Sequence, residues 1–325
     1  MTDKMLKVEN LQVHFEMKQG FAKSLFGKAE VLKAVDGVSF EIGEGEILSL
    51  VGESGSGKTT TGKAVLQLVP VTGGSVIFEG QEITGKKDLK DFRLSAQMIY
   101  QDPYQALNSR QYISDIVAEP LDVNNLVKST DERNAAIRRA LENAGLTPAE
   151  DYLYRRPYEL SGGQRQRAAI ASSLIMGPKF VVADEPVSML DASIRTGIIK
   201  LMLEERDKNG VAYLFITHDL SLAWLISDRI AIMYLGKIME MGTADQIVKH
   251  ALHPYSKALL EVMPVPGRRL TEKRKILQGE TPNAAAVIKG CKFCGRCPEA
   301  MEICREEEPP YKEMEKGHFV CCHRY

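Results

Sequence analysis

Two short segments hold residues whose types and spacing suit phosphate chemistry. Gly52, Gly57, Lys58 and Thr59 stand in the pattern G-x-x-x-x-G-K-[ST], with Glu53, Ser54, Gly55 and Ser56 between them. Glycines at this spacing let successive backbone N–H groups curl around phosphate oxygens with no Cβ in the way. A helix starting near Thr59 and Thr60 adds partial positive charge at its N-terminus. Lys58 then reaches the β- and γ-phosphates, and the Thr59 hydroxyl ligates Mg²⁺. Downstream, the apolar run Val181-Val182-Ala183 ends in Asp184-Glu185. Asp184 suits a Mg²⁺ held through water. Glu185 points to the other side of the strand end and can orient or deprotonate an attacking water. Either segment alone has a plain reading, as a glycine-rich turn or as two solvated acids. The following hydroxyl-rich, acidic stretch Ser188-Met189-Leu190-Asp191 favours the chemical one, which is hydrolysis of a nucleoside triphosphate with magnesium.

The elements that must position these groups are legible from periodicity. Leu6–Phe15 and Val35–Ile42 alternate apolar and polar residues, as half-buried strands do. Glu16–Glu30 between them reads as a surface loop or hairpin extension. Glu46–Val51 reads as a buried strand feeding the glycine loop, and Thr59–Leu68 as the helix after it. Ser75–Phe78 and Gln97–Tyr100 read as strands, the latter stopped at Gln101-Asp102-Pro103. From Ser114 to Arg156 the pattern is helical, with Ile137, Ala140, Leu141 and Ala144 on one face and a stop at Gly145. Phe180–Ala183 and Ala212–Thr217 are strand-like and flank the helical Ala192–Asn209. This alternation predicts an α/β core with parallel strands and a separate helical subdomain over about 102–159. The main boundary is expected at Met263–Gly267, giving a body over 1–262 and an extension over 263–325.

Composition narrows the class. The formal net charge of −1 lacks the basic excess of a nucleic-acid binder. The first residues lead into a strand-like segment without the apolar core of a signal peptide. The most apolar stretch, Ala212–Leu235, carries His218, Asp219, Asp228 and Arg229 and is too polar to span a bilayer. A cytoplasmic, soluble chain is expected, with any membrane role coming through partners. All six cysteines lie at or beyond Cys291, a clustering that suggests metal rather than disulfides in a cytosolic protein.

Between the two chemical segments lies Leu160-Ser161-Gly162-Gly163-Gln164. Ser161 and the glycines precede a helix beginning near Gln164, whose exposed N–H groups and dipole make an anion site. Together with the phosphate loop and the Asp184-Glu185 strand, this turn resembles the signature of the ATP-binding cassette ATPases. The resemblance implies a P-loop core with a helical and a β subdomain. It also implies that Ser161, Gly162, Gly163 and Gln164 complete the ATP site of a facing subunit. His218, just after the strand Ala212–Thr217, matches a histidine that contacts the γ-phosphate. Gln101 matches a glutamine that senses Mg²⁺ and water and couples the site to membrane subunits. Phe15 lies where an aromatic stacks on adenine, although a phenylalanine at a strand end is also plain core. Asp191 falls among the nucleotide-binding positions.

The resemblance narrows further. Tyr100-Gln101-Asp102-Pro103-Tyr104, Ala106-Leu107-Asn108, Leu160–Arg167, Asp184-Glu185-Pro186-Val187-Ser188 and His253-Pro254-Tyr255 look like the ATP-binding subunits of oligopeptide and dipeptide importers. The tail Gly290-Cys291, Arg296-Cys297-Pro298, Cys304 and Cys322-His323 is similar to their C-terminal extension. The match covers essentially the whole chain. The Glu16–Glu30 insertion, with Gly20-Phe21, fits the F-type rather than the D-type subunit. Two positions depart from the pattern without removing a chemical group: Met189 stands in place of an alanine and Ser172 in place of an arginine.

Cys291-x2-Cys294-x2-Cys297 is ferredoxin-like spacing, but Cys304 follows after six residues rather than three, so that match is partial. The family spacing selects Cys291, Cys297, Cys304 and Cys322, with Cys294 and Cys321 extra, and the resemblance implies a [4Fe–4S] cluster, which some members of the family hold on those four thiolates. Zn²⁺ on four thiolates is the rival, and free thiols the plain alternative. A metal would let a tail of so little apolar periodicity fold. The resemblance implies as partners a D-type ATPase subunit or a second copy, two transmembrane permeases and, through the complex, an extracytoplasmic binding protein, with no nucleic acid. The place of action is then the cytoplasmic face of the membrane, peripherally. An oligosaccharide or nickel importer built on the same ATPase, a non-transport cassette ATPase and a redox or metal sensor with an ATPase body are the competing readings.

Overall fold

Lys4–Glu16 (β1) and Val31–Gly43 (β2) are strands, each longer than its alternating stretch predicts. They belong to the computed structural model of the chain, which describes residues 4–16, 31–263, 282 and 288–325. Most of the expected loop at 16–30 therefore lies outside the described residues. Ile47–Val51 (β3) is buried at every position and runs into the glycine loop and the helix Lys58–Val65. Gly73–Phe78 (β4) and Gln81–Glu82 (β5) complete a four-stranded sheet in the order β2-β1-β4-β5. The β1–β4 pair is antiparallel, with Leu6 opposite Phe78 and Val8 opposite Val76.

The chain forms two units. One takes in Met1–Ile42, Ile47–Lys86 and Ile216–Tyr325; the other takes in Gly43–Glu46 and Lys87–Phe215. In the second unit Ala96–Ile99 (β6) pairs in parallel with Phe180–Asp184 (β7), and Ala212–Thr217 (β8) lies on the far side of β7. This bears out a parallel α/β core. The helical run resolves into Ile113–Val123, Thr130–Asn143 and Glu150–Leu153. Gly145 sits at φ 74°, the left-handed conformation a glycine stop supplies. The helices Gly162–Leu174 and Ala192–Asn209 follow.

The first unit continues with Arg229–Tyr234 (β9) and Lys237–Thr243 (β10). β9 pairs in parallel with β3, Leu48 to Val51 facing Arg229 to Ile232. The tail ends in a hairpin, Tyr311–Glu315 (β11) and His318–Cys321 (β12). β12 pairs with β10, Glu240 opposite Val320 and Met241 opposite Phe319. Cys291, Phe293 and Cys304 share a buried cluster with Tyr234, Met239 and Tyr255. The boundary expected at 263–267 thus falls inside one unit, and Pro264–Gly267 lie outside the described residues. The tail is seated by a few anchors and a short β-pairing, neither of which leaves a helical or strand-long apolar period in the sequence.

Candidate nucleotide-binding and hydrolysis site

The glycines of the phosphate loop answer to close backbone approach. A Cβ on Gly52 would lie 2.1 Å from the Met233 carbonyl oxygen, and one on Gly57 would lie 2.2 Å from that of Ala34. Gly57 also has φ 103° and caps the helix Lys58–Val65, so it serves space and conformation together. The Gly236 N–H donates to the Ser56 carbonyl at 2.8 Å and ties the loop to the β9–β10 turn. Ser54 and Gly55 are exposed, Ser56 is buried, and Thr59 and Thr60 are half-buried in the first turn of the helix.

Lys58 is 5% exposed. Its Nζ donates to the carbonyl oxygens of Gly52 at 2.8 Å and Glu53 at 2.9 Å. The ammonium therefore lies against the loop, and phosphate oxygens can compete for its protons. Glu53 is fixed from several sides. Its N–H donates to the Tyr255 hydroxyl at 3.1 Å, and its carboxylate accepts from Arg296 at 2.8 Å. Sequence reasoning did not foresee these two partners, which lie 202 and 243 residues away. No local spacing signals such contacts. His218 is exposed directly after β8 and lines a cavity of about 340 Å³ together with Gly52 and Glu53. Phe15 is 38% exposed near the end of β1.

In the second unit, Asp184 ends β7 and is 3% exposed. Glu185 turns out of the strand at φ 44°, a left-handed conformation that is uncommon outside glycine and is found where function holds strain. Its carbonyl accepts from the Ser188 N–H at 3.2 Å and the Ser188 hydroxyl at 3.1 Å, which hold the turn. Its carboxylate accepts from Gln101 Nε2 at 3.2 Å. The structure thus brings Gln101 and Glu185 together at adjacent strand ends.

Ser161 caps the helix Gly162–Leu174 reciprocally. Its hydroxyl accepts from the Gln164 N–H at 3.3 Å, and Gln164 Oε1 accepts from the Ser161 N–H at 2.9 Å. A Cβ on Gly163 would stand 2.6 Å from the Ile194 side chain, whereas one on Gly162 would meet open space. Gly162 thus leaves its face of the turn clear for an anion. Asp191 caps the helix Ala192–Asn209 through the Ile194 N–H at 3.1 Å, and it also accepts from Ser193 Oγ at 2.8 Å. The Ser193 hydroxyl and the Ile194 amide hold its carboxyl below the usual carboxylate range.

Among the described residues no group of three or more His, Cys, Asp or Glu side chains is placed to hold a metal ion. Burial pushes Cys291 up to about 12, and Cys304, Cys321 and Cys322 push the same way. Burial pushes Cys297 up to about 11, reinforced by Cys322, Cys304 and Cys294. Cys304 and Cys322 are therefore electrostatic neighbours of both Cys291 and Cys297, with Cys321 beside Cys291 and Cys294 beside Cys297. The Cys291 N–H donates to the Cys304 carbonyl at 2.8 Å, and Gly290 leaves no room for a side chain beside that carbonyl. The Cys321 thiol donates to the Pro309 carbonyl at 3.3 Å.

The chain is similar to known proteins in sequence and fold. The family described as ABC transporter matches residues 35–188, and the oligopeptide/dipeptide transporter C-terminal region matches residues 239–304. The oligopeptide transport ATP-binding protein AppF of Bacillus subtilis is 42% identical over 326 residues, covering 99% of this chain and 97% of the relative. The dipeptide transport ATP-binding protein DppF of Lactococcus lactis is 48% identical over 267 residues, covering 81% and 82%. The solved dimer of MJ0796, a bacterial ABC transporter cassette, superposes with a TM-score of 0.65 at 27% identity, covering 74% of this chain and 99% of that one. Fold and loop chemistry together define a P-loop ATPase of the cassette class. The chain belongs to the ABC transporter ATP-binding family, in the branch that carries the oligopeptide/dipeptide transporter C-terminal region.

Proposed function

We propose that this chain is the ATP-hydrolysing subunit of an oligopeptide or dipeptide importer. The observation that carries the reading is the union, in one chain, of a cassette with the C-terminal region of oligopeptide/dipeptide transporters. The backbone amides of 52–59 and the Lys58 ammonium bind the triphosphate. Thr59, Gln101 and Asp184 would hold Mg²⁺, which when bound would offset the charge developing on the phosphate oxygens. Glu185 accepts a proton from the attacking water, and the 3.2 Å bond from Gln101 supports that role by orienting its carboxylate. His218 contacts the γ-phosphate, Asp191 stands with the nucleotide-binding positions, and Phe15 supports the adenine.

Ser161, Gly162, Gly163 and Gln164 act on the nucleotide of a facing subunit, either a D-type ATPase or a second copy. The open face of Gly162 supports this reading. Closure of the pair moves two permease subunits, and hydrolysis resets them. Among the described residues no helix is long and apolar enough to cross a membrane. The chain works peripherally at the cytoplasmic face, with peptide delivered by a binding protein outside. The cassette occupies 1–262, the helical subdomain at about 102–159 docks the permeases, and the cysteine-rich extension occupies 263–325. Cys291, Cys297, Cys304 and Cys322 would hold a [4Fe–4S] cluster, with Zn²⁺ as the alternative, and the metal would supply a cross-link between segments of the tail. Affinity isolation of the chain with membranes from native extract tests the assignment. Two permeases and a second ATPase subunit are expected. Recovery of only soluble DNA-repair or translation proteins would contradict it.

A further inference from the structure

The phosphate-loop pattern leaves position 53 open to any residue, yet Glu53 is held from outside the loop through both its backbone N–H and its carboxylate. Its carboxylate lies 2.8 Å from a guanidinium nitrogen of Arg296, whose side chain is only 9% exposed. Arg296 belongs to the short helical turn Cys294–Arg296, inside the cysteine-bearing segment. The same nitrogen lies 3.4 Å from the Tyr234 hydroxyl, and the guanidinium sits over the Tyr234 ring, 5.9 Å from its centroid. Tyr234, Tyr255 and Phe293 pack with ring centroids 4.8 to 5.4 Å apart. Phe293 adjoins the turn that carries Arg296, and the Tyr255 hydroxyl accepts from the Glu53 N–H. Both the backbone and the side chain of Glu53 are thus braced by one aromatic block.

Two physical consequences follow. The Glu53 carbonyl accepts from Lys58 Nζ at 2.9 Å and from the Ser56 N–H at 3.2 Å. Bracing Glu53 therefore also sets where the Lys58 ammonium and the next turn of the loop stand. The second consequence is electrostatic. A carboxylate inside an anion-binding loop repels the triphosphate unless a cation balances it, and Arg296 supplies such a cation from a segment outside the loop.

We propose that Arg296 is a positioning residue for the nucleotide. By pairing with Glu53 it sets the affinity of the phosphate loop for ATP, and so makes that affinity depend on the seating of the cysteine-bearing segment. The proposal rests on the reading of residues 52–59 as the triphosphate site.

The test uses the full chain, with ATP affinity measured by equilibrium titration and turnover measured in the assembled complex. Arg296→Met is expected to raise Kd and KM for ATP by roughly three- to tenfold, with kcat changed by less than about twofold. Arg296→Lys should recover part of the affinity. The double variant Glu53→Gln/Arg296→Met should return it to within about twofold of wild type, because the unbalanced carboxylate is gone. A merely structural arginine would show no such rescue. Lys58→Ala serves as the reference and should abolish binding. Unchanged affinity in Arg296→Met, or a double variant as weak as Arg296→Met alone, overturns the proposal while leaving the loop assignment intact. Full affinity in Lys58→Ala overturns the loop assignment itself. Should Arg296→Met not fold, Glu53→Gln alone decides: affinity equal to or tighter than wild type supports the proposal, and a loss above about tenfold contradicts it.

Discussion

Gln101 Nε2 and Glu185 Oε2 are joined by a 3.2 Å hydrogen bond between the ends of adjacent parallel strands β6 and β7. The bond aims one oxygen of the Glu185 carboxylate at an amide donor. Glu185→Gln should therefore keep ATP binding, since the phosphate contacts belong to 52–59, while multiple-turnover hydrolysis falls by two orders of magnitude or more, on the order of what a general base contributes. Phosphate release by the variant assembled with its partners measures this. A rate near wild type would remove Glu185 from the role of base.

The open space beside Gly162 and the reciprocal Ser161–Gln164 cap support a site that acts across subunits, which predicts the following. Ser161→Arg places bulk and charge at the anion end of the helix. In a mixed dimer it should impair nucleotide crosslinking at the partner's phosphate loop and spare its own. Loss confined to the mutant subunit's own loop would contradict action in trans.

The cysteine tail should carry stoichiometric metal after anaerobic purification. Iron with sulfide and a broad visible absorption that bleaches on reduction identify a [4Fe–4S] cluster, and colourless zinc identifies the alternative. Cys297→Ser should release the metal while ATP binding survives, within the loss that a loosened Arg296 turn imposes. Cys294→Ser and Cys321→Ser should be tolerated. Absence of any stoichiometric metal would leave six free thiols.

Acid sensitivity should localise to His253. Burial lowers its pKa to about 4, with Lys257 acting in the same direction and Glu240 opposing both. Its Nδ1 accepts from the Tyr255 N–H at 3.0 Å as a helix cap, which leaves that nitrogen no proton to carry. The unfolded chain binds a proton near 6.5 and the folded chain only near 4. The stabilisation is therefore complete above about 6.5 and is lost as pH falls towards 4, on the order of 3 kcal/mol across the window. His253→Asn keeps a capping oxygen and removes the titration. Denaturant titrations between pH 7 and 4 should show a shallower loss of stability for the variant than for wild type. Parallel curves would refute the assignment.

Much of the cassette is legible in sequence because its boundaries are local. Gly57, Asp191 and Gly210 punctuate helices at the residues where the structure begins or ends them, and the helix Ala192–Asn209 and strand Ala212–Thr217 carry the bounds that periodicity suggests. Other elements are not legible. Arg229–Tyr234 is nearly continuous apolar sequence after its first residue, and Lys237–Thr243 does not alternate cleanly, so neither has a period that separates strand from buried helix. The seating of the tail rests on Phe293 against Tyr234 and Tyr255, on β12 beside β10, and on the buried Glu240 carboxylate accepting from His318 at 2.8 Å. Each is a contact across tens of residues, set by topology rather than spacing. The chemical residues of the loop and of the β7 end could be named from their motif. The braces on Glu53 could not.

The central claim is that ATP hydrolysis by this chain drives peptide import. Its most direct measurement is ATP-dependent uptake of labelled peptide into proteoliposomes holding the purified complex, with the binding protein supplied outside. The account predicts uptake that requires ATP on the side of this chain, hydrolysis stimulated by peptide-loaded binding protein, and loss of both with Lys58→Ala in this subunit. Peptide uptake that persists at the wild-type rate with Lys58→Ala, or a complex that hydrolyses ATP and moves no peptide, would contradict it.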